Sequence, residues 1–100
     1  MKVEIKGFLK QVSAPIEKES FTFQDILIER PVHDGFDGKL LYTEFYPAYI
    51  ANDRIKELDA DALVDKKVIA TCYLSSSKAE NDEGTRYFLR LKVKDLKELS

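Results

Sequence analysis

Apolar and charged residues alternate through the first twelve positions. Val3, Ile5 and Leu9 share one parity; Lys2, Glu4, Lys6 and Lys10 share the other, with Phe8 among them. A period of two belongs to a strand with one face buried, which predicts a strand over residues 2–12. Gly7 interrupts the apolar parity, as a glycine does at a bulge or at the corner of a barrel. Residues 13–20 contain Pro15 and mostly polar side chains and read as a loop. A second strand is expected over 21–30. Its apolar parity changes from Phe21 and Phe23 to Ile26 and Ile28, as in a strand that bends around a barrel or is buried on both faces. Pro31 has no N–H to give a ladder and is expected to end it. The aspartates and glycines of 32–39 suit a turn. A third strand follows over 40–50, rich in rings (Tyr42, Phe45, Tyr46, Tyr49), and Pro47 inside it points to an edge position or a bulge.

Asn52 is then expected to cap a short helix in which Ile55, Leu58 and Ala62 or Leu63 recur at helical spacing. After a turn at Asp65, Lys66 and Lys67, residues 68–75 alternate as a fourth strand. Residues 75–84 read as a polar hairpin loop, 85–93 as the fifth strand, and 96–100 as a short helical turn. Three strands, a short helix and two strands predict an all-β fold with one short helix. The architecture expected is a five-stranded OB-fold Greek-key barrel, the helix between strands 3 and 4, as one domain over 1–100. A small open sheet with one helix ranks second.

The 44% hydrophobic content and eleven aromatic rings fit a folded chain and exclude disorder. Charged residues make up 34%, yet the net charge is only −2, so any affinity for polyanions must come from how cations are distributed. Cys72 is the one cysteine, which excludes an internal disulfide and fits a reducing compartment; it shares parity with Val68, Ala70 and Leu74 and is expected in the core. No unbroken apolar run suits a signal peptide or a membrane span, so a cytoplasmic location is expected. His33 lies near Asp34 and Asp37, but the Asp–Gly pairs there follow from turn chemistry. With no nucleophile elbow, phosphate loop or cysteine pair, the chain is expected to be neither enzyme nor metal protein, and to need no cofactor.

The fifth strand carries the most informative pattern. Arg86, Phe88, Arg90, Lys92 and Lys94 share one parity, opposite Tyr87, Leu89, Leu91 and Val93. Cations that neutralise phosphates beside a ring that stacks on a base suit single-stranded nucleic acid. The same pattern suits a solvated strand face over a packed Phe88. Lys2, Lys6 and Lys10 add positive charge, or protect an edge strand from pairing. Glu80, Asp82 and Glu83 lie just before the fifth strand and are expected to repel phosphate if that loop borders the ligand.

The run Thr43-Glu44-Phe45, the short helix with Leu58, the turn Asp65-Lys66-Lys67-Val68, and then Leu74, Lys78, Gly84 and Arg86-Tyr87 resemble bacterial single-stranded-DNA-binding proteins. The likeness extends to primosomal OB proteins and their relatives, and it covers roughly residues 21–96. The resemblance implies that Phe45 stacks on a base. It also implies that Thr43, Pro47 and Tyr49 face outward, and that Tyr46, Ala48 and Ile50 face the core. It sets the fifth strand beside the third, so that Phe45, Tyr49, Arg86, Phe88, Arg90 and Lys92 form one binding surface for single-stranded DNA or RNA. It further implies a homo-oligomer. The chain departs from the family in lacking tryptophan and in carrying serines and an acidic tip where the family has cations and a ring, which implies weak binding. The alternative is a protein-interaction or oligomerisation module that uses the aromatic strand face as its interface.

Overall fold

In a computed structural model that describes residues 1–99, the alternating N-terminal segment is a strand, β1 (Lys2–Val12), with Ile5 and Leu9 buried and the lysines exposed. It is followed by β2 (Ile16–Lys18), β3 (Phe21–His33), β4 (Leu40–Ala51), helix α1 (Arg54–Leu58), a 3₁₀ turn (Ala60–Leu63), β5 (Lys67–Asn81) and β6 (Gly84–Glu98). The sheet runs in the order β1-β5-β6-β4-β3-β2, and a further β1–β3 pairing closes it. The five long strands therefore form a closed Greek-key barrel of the OB type, with the helix between the third and fourth of them.

β1 closes the ring by changing partners. Residues 2–8 pair with β5, and residues 8–12 pair with β3, with a register shift between Leu9 and Gln11. Gly7 sits at this crossing. A Cβ placed on it would lie 2.6 Å from the Glu29 carbonyl oxygen and 2.9 Å from Ile28 Cγ2, so the close approach of β3 requires a residue without one. The other seam, between β4 and β6, is parallel and in register only at Tyr49↔Lys92.

Alternate residues from every long strand fill the barrel. Leu9, Ile28, Ile50 and Val68 have no exposed surface, and each such side chain contributes roughly 1.5–3 kcal/mol. Cys72 joins this core, and burial pushes its thiol up to about 11. Ile55, Leu58 and Leu63 pack on the core from α1 and the 3₁₀ turn, and Ala60 is buried beneath them. No helix among the described residues is long and apolar enough to cross a membrane.

Several expectations need correction. The loop before β3 contains the short strand β2, which pairs with β3 through Ile16↔Phe23 and Lys18↔Phe21. The parity change in β3 is not a bend: Gln24, Ile26 and Ile28 point inward, while Phe21 and Phe23 lie on the outer face. Pro31 does not end β3, which continues to His33 opposite β4. Asn52 does not cap α1. It takes a positive φ of 51°, and its Oδ1 accepts a hydrogen bond from the Thr22 backbone N–H at 3.1 Å. The residue before the helix is Asp53, whose side chain makes no capping bond. Residues 96–98 extend β6 instead of forming a helical turn, and Ser100 lies outside the described residues. Pro47 is tolerated in β4 because, beyond Tyr49, the strand has no registered β6 partner and is in effect an edge.

The largest correction concerns 75–84. The polar loop is two strands. β5 and β6 stay paired to Asn81↔Gly84, and only Asp82 and Glu83 form the turn, with the Glu83 N–H donating to Asn81 Oδ1 at 2.9 Å. Residues 75–81 and 84–90 are exposed throughout, so this hairpin stands out from the barrel as an arm. The radius of gyration, 15.5 Å, exceeds the ~13 Å of an ordinary 100-residue domain.

Candidate nucleic-acid interface

The inward residues of three strands fix what faces out. In β4, Ala48 and Ile50 are buried and Tyr46 packs on the core, which turns Phe45, Pro47 and Tyr49 outward as expected. In β6, buried Val93 turns Lys92 and Arg90 outward. In β3, buried Gln24 and Ile26 turn Phe23 and Asp25 outward. The registers Asp25↔Tyr49 and Tyr49↔Lys92 then set these three outer faces side by side.

A groove of about 410 Å³ lies on this surface. Phe21, Phe23 and Tyr49 supply its rings; Lys18, Arg90 and Asp25 supply its charges. Phe21 and Phe23 stack with centroids 5.6 Å apart and planes 20° from parallel, and Phe21 keeps 37% of its surface open. A flat heterocycle laid on Phe21 would extend that stack. Lys18 on β2 and Arg90 on β6 outnumber the one carboxylate, Asp25.

Among the described residues, six of the sixteen lysines and arginines make ion pairs within 4 Å of a carboxylate: Lys10, Arg30, Arg54, Lys66, Lys78 and Lys97. Lys18, Arg86, Arg90, Lys92 and Lys94 are not among them. The β6 cations from Arg86 to Lys94 thus lack a carboxylate partner among the described residues, and the neighbours across the ladder are Ser75, opposite Arg90, and Ala79, opposite Arg86. The acidic residues of the arm lie elsewhere. Glu80 has the opposite parity and is held by Lys78 at 2.8 Å, while Asp82 and Glu83 occupy the turn.

Of the six residues expected to form one surface, the structure places Tyr49 and Arg90 in the groove and Lys92 beside it, in register with Tyr49. The other three lie outside it. Phe45, 58% exposed, stands farther along β4 opposite Glu29. Phe88 and Arg86 ride on the arm opposite Ser77 and Ala79. The separation follows from the single registered β4–β6 pair: past it, the two strands go different ways. Three groove residues, Lys18, Phe21 and Phe23, were not foreseen. Their signal was the parity change itself, which puts the phenylalanines on the face opposite the buried isoleucines. His33 is exposed at the end of β3, and among the described residues no three His, Cys, Asp or Glu side chains are placed to hold a metal ion.

No family model and no curated protein sequence matches this chain. Among solved structures, it is similar to the mitochondrial single-stranded-DNA-binding protein Rim1 of S. cerevisiae, with a TM-score of 0.76 at 18% sequence identity. The match covers 100% of this chain and 95% of that one. At that identity the likeness establishes the OB fold.

Proposed function

We propose that this chain is a non-catalytic OB-fold protein that binds single-stranded nucleic acid weakly, by stacking bases on rings and holding phosphates with cations. The observation that carries this reading is the groove. It combines the Phe21–Phe23 stack and Tyr49 with Lys18 and Arg90, and it adjoins Lys92, the registered neighbour of Tyr49, which has no carboxylate partner among the described residues. Stacking on a ring face is sequence-tolerant, since every base has such a face. Phe45, Phe88 and Arg86 serve as outlying stacking and phosphate positions. Weak affinity follows from charge: Asp25 and Glu29 adjoin Tyr49 and Phe45 on the same sheet face and oppose part of the positive field.

Fluorescence anisotropy with an oligothymidine probe tests the proposal. Binding should weaken steeply with salt, by about 0.7 log units per log unit of salt for each phosphate neutralised on a single strand. Replacing Arg90 and Lys92 with glutamine should reduce that slope by roughly the two lost contacts. Absence of binding at low salt would remove the proposal.

One feature favours a second reading, a protein-interaction module. Leu40, Leu41 and Tyr42 are 56–58% exposed at the start of β4, close in sequence to Phe45 and to the fully exposed Phe36. Several large apolar side chains exposed along one short segment suit contact with another protein. Sedimentation as a tight oligomer with these residues covered would support it.

A further inference from the structure

The row of residues that crosses the groove does not stop there. In register across the outer face stand Asp25 on β3, Tyr49 on β4, Lys92 on β6, Tyr73 on β5 and Lys2 on β1. Past Tyr49, every position in this row is a cation or a phenol. Beside it, a cleft of about 530 Å³ opens between α1 and the β5–β6 sheet, with Tyr73, Lys92 and Lys94 on one wall and Asp53, Arg54 and Glu57 on the other.

The hydrogen bonding inside this cleft is directional. Lys94 Nζ donates to Tyr73 Oη at 3.0 Å and sits 5.4 Å from the centre of its ring. An oxygen that accepts from Lys94 turns its own hydrogen elsewhere, so the phenol is left as a donor with no acceptor of its own. The Lys94 hydrogen bond, and then the charges of Lys94 and Lys2, hold the Tyr73 phenol below its ordinary value, which strengthens it as a donor. Tyr73 is 43% exposed, so this donor meets solvent. Of the opposing carboxylates, Glu57 is already engaged by Arg54 at 2.7 Å, which leaves Asp53. Lys2, Lys92 and Lys94 make no ion pair among the described residues, whereas Lys97, three residues beyond Lys94, is paired with Asp95 at 3.4 Å. Three unpaired ammonium groups around an outward phenol donor form a site rich in donors and short of acceptors. A phosphodiester offers the reverse: two acceptor oxygens with one negative charge.

We infer that Tyr73, Lys94, Lys92 and Lys2 form a second phosphate track, along which a bound single strand leaves the groove at Tyr49, crosses the β4–β6 seam and continues over β6 and β5 toward β1. This rests on the proposed nucleic-acid binding and adds the path of the strand. The crossing spans three inter-strand gaps of about 4.8 Å each, so only a ligand longer than the groove reaches its end.

Length dependence tests the track. Anisotropy is measured with oligothymidines of about five and about sixteen nucleotides, near the two ends of the range an OB barrel occupies. The proteins compared are the unaltered chain, the double variant Tyr73→Phe with Lys94→Gln, and the single variant Lys2→Gln, all at solvent-facing positions. The double variant should bind the longer probe about tenfold more weakly, with a salt slope shallower by about 0.7 for the lost phosphate contact, and should bind the shorter probe as the unaltered chain does. Lys2→Gln should show the same selectivity to a smaller degree. An unchanged affinity and slope for the longer probe would overturn the track and leave the groove proposal standing. Equal weakening for both lengths would also overturn it, since the cleft would then act on the groove itself. Failure of the unaltered chain to bind either probe would end both proposals.

Discussion

Joint replacement of Phe21 and Tyr49 by alanine is expected to weaken binding to oligothymidine at least a hundredfold, and by the same factor at low and high salt. Each stacked base contributes about 1–3 kcal/mol by alanine substitution, and tenfold in affinity corresponds to about 1.4 kcal/mol, so two rings at the lower half of that range suffice. Both rings belong to the groove, and both lie on outer strand faces, away from the core residues Ile26 and Ile50. The melting transition should therefore stay cooperative. Salt separates this variant from one that has lost charge: ring loss shifts the whole binding curve, whereas loss of Arg90 and Lys92 changes its slope. Phe45→Ala, outside the groove, should cost less. If the double variant binds as tightly as the parent, the groove is not where bases sit, and the face of β4 becomes a candidate for protein contact.

The second large effect is on stability. Gly7→Ala should destabilise the fold by about 2 kcal/mol, within the range for forcing extra volume into a packed site, and lower the melting temperature by roughly 8–16 °C. The obstacle is mainly backbone. The new methyl would meet the Glu29 carbonyl oxygen at 2.6 Å, and β3 cannot retreat without breaking its ladder with β4. Gly35→Ala is the control, since nothing lies within 4 Å of a Cβ there, and it should melt with the parent. Thermal unfolding followed by far-ultraviolet circular dichroism distinguishes the two. Equal melting of Gly7→Ala and parent would mean that β1 does not cross where the structure places it.

The barrel was legible because its information is local and periodic. Alternation in β1 and in β5 from Val68 to Leu74 named the buried residues directly, while in β4 the resemblance, not parity, chose the inward set of Tyr46, Ala48 and Ile50; the order of strands and helix then left few topologies. The arm was not legible for the same reason. Serines 75–77 are polar on both parities because neither face of the arm is buried, and a ladder without a hydrophobic face looks like a loop in sequence. The groove was half legible. Tyr49, Arg90 and Lys92 followed from parity and from the resemblance, but their partners depend on register. The Lys18↔Phe21 pairing and the lone Tyr49↔Lys92 pair decide which rings and cations meet, and no periodicity encodes them. Phe45, Arg86 and Phe88 were grouped with them on the assumption that two neighbouring strands stay neighbours along their whole length.

The junction at Tyr49 and Lys92 has a mechanical consequence. Elsewhere the barrel is held by extended antiparallel ladders, but here one registered pair joins β4 to β6. The groove straddles this line, with Tyr49 on one bank and Arg90 on the other. A ligand gripping both banks acts as a stitch through the weakest stretch of the wall. By linkage, whatever binds only the sealed form favours sealing. Under the proposed binding, occupancy and rigidity of the barrel would be two readings of one equilibrium, with the empty protein the more pliant of the two states.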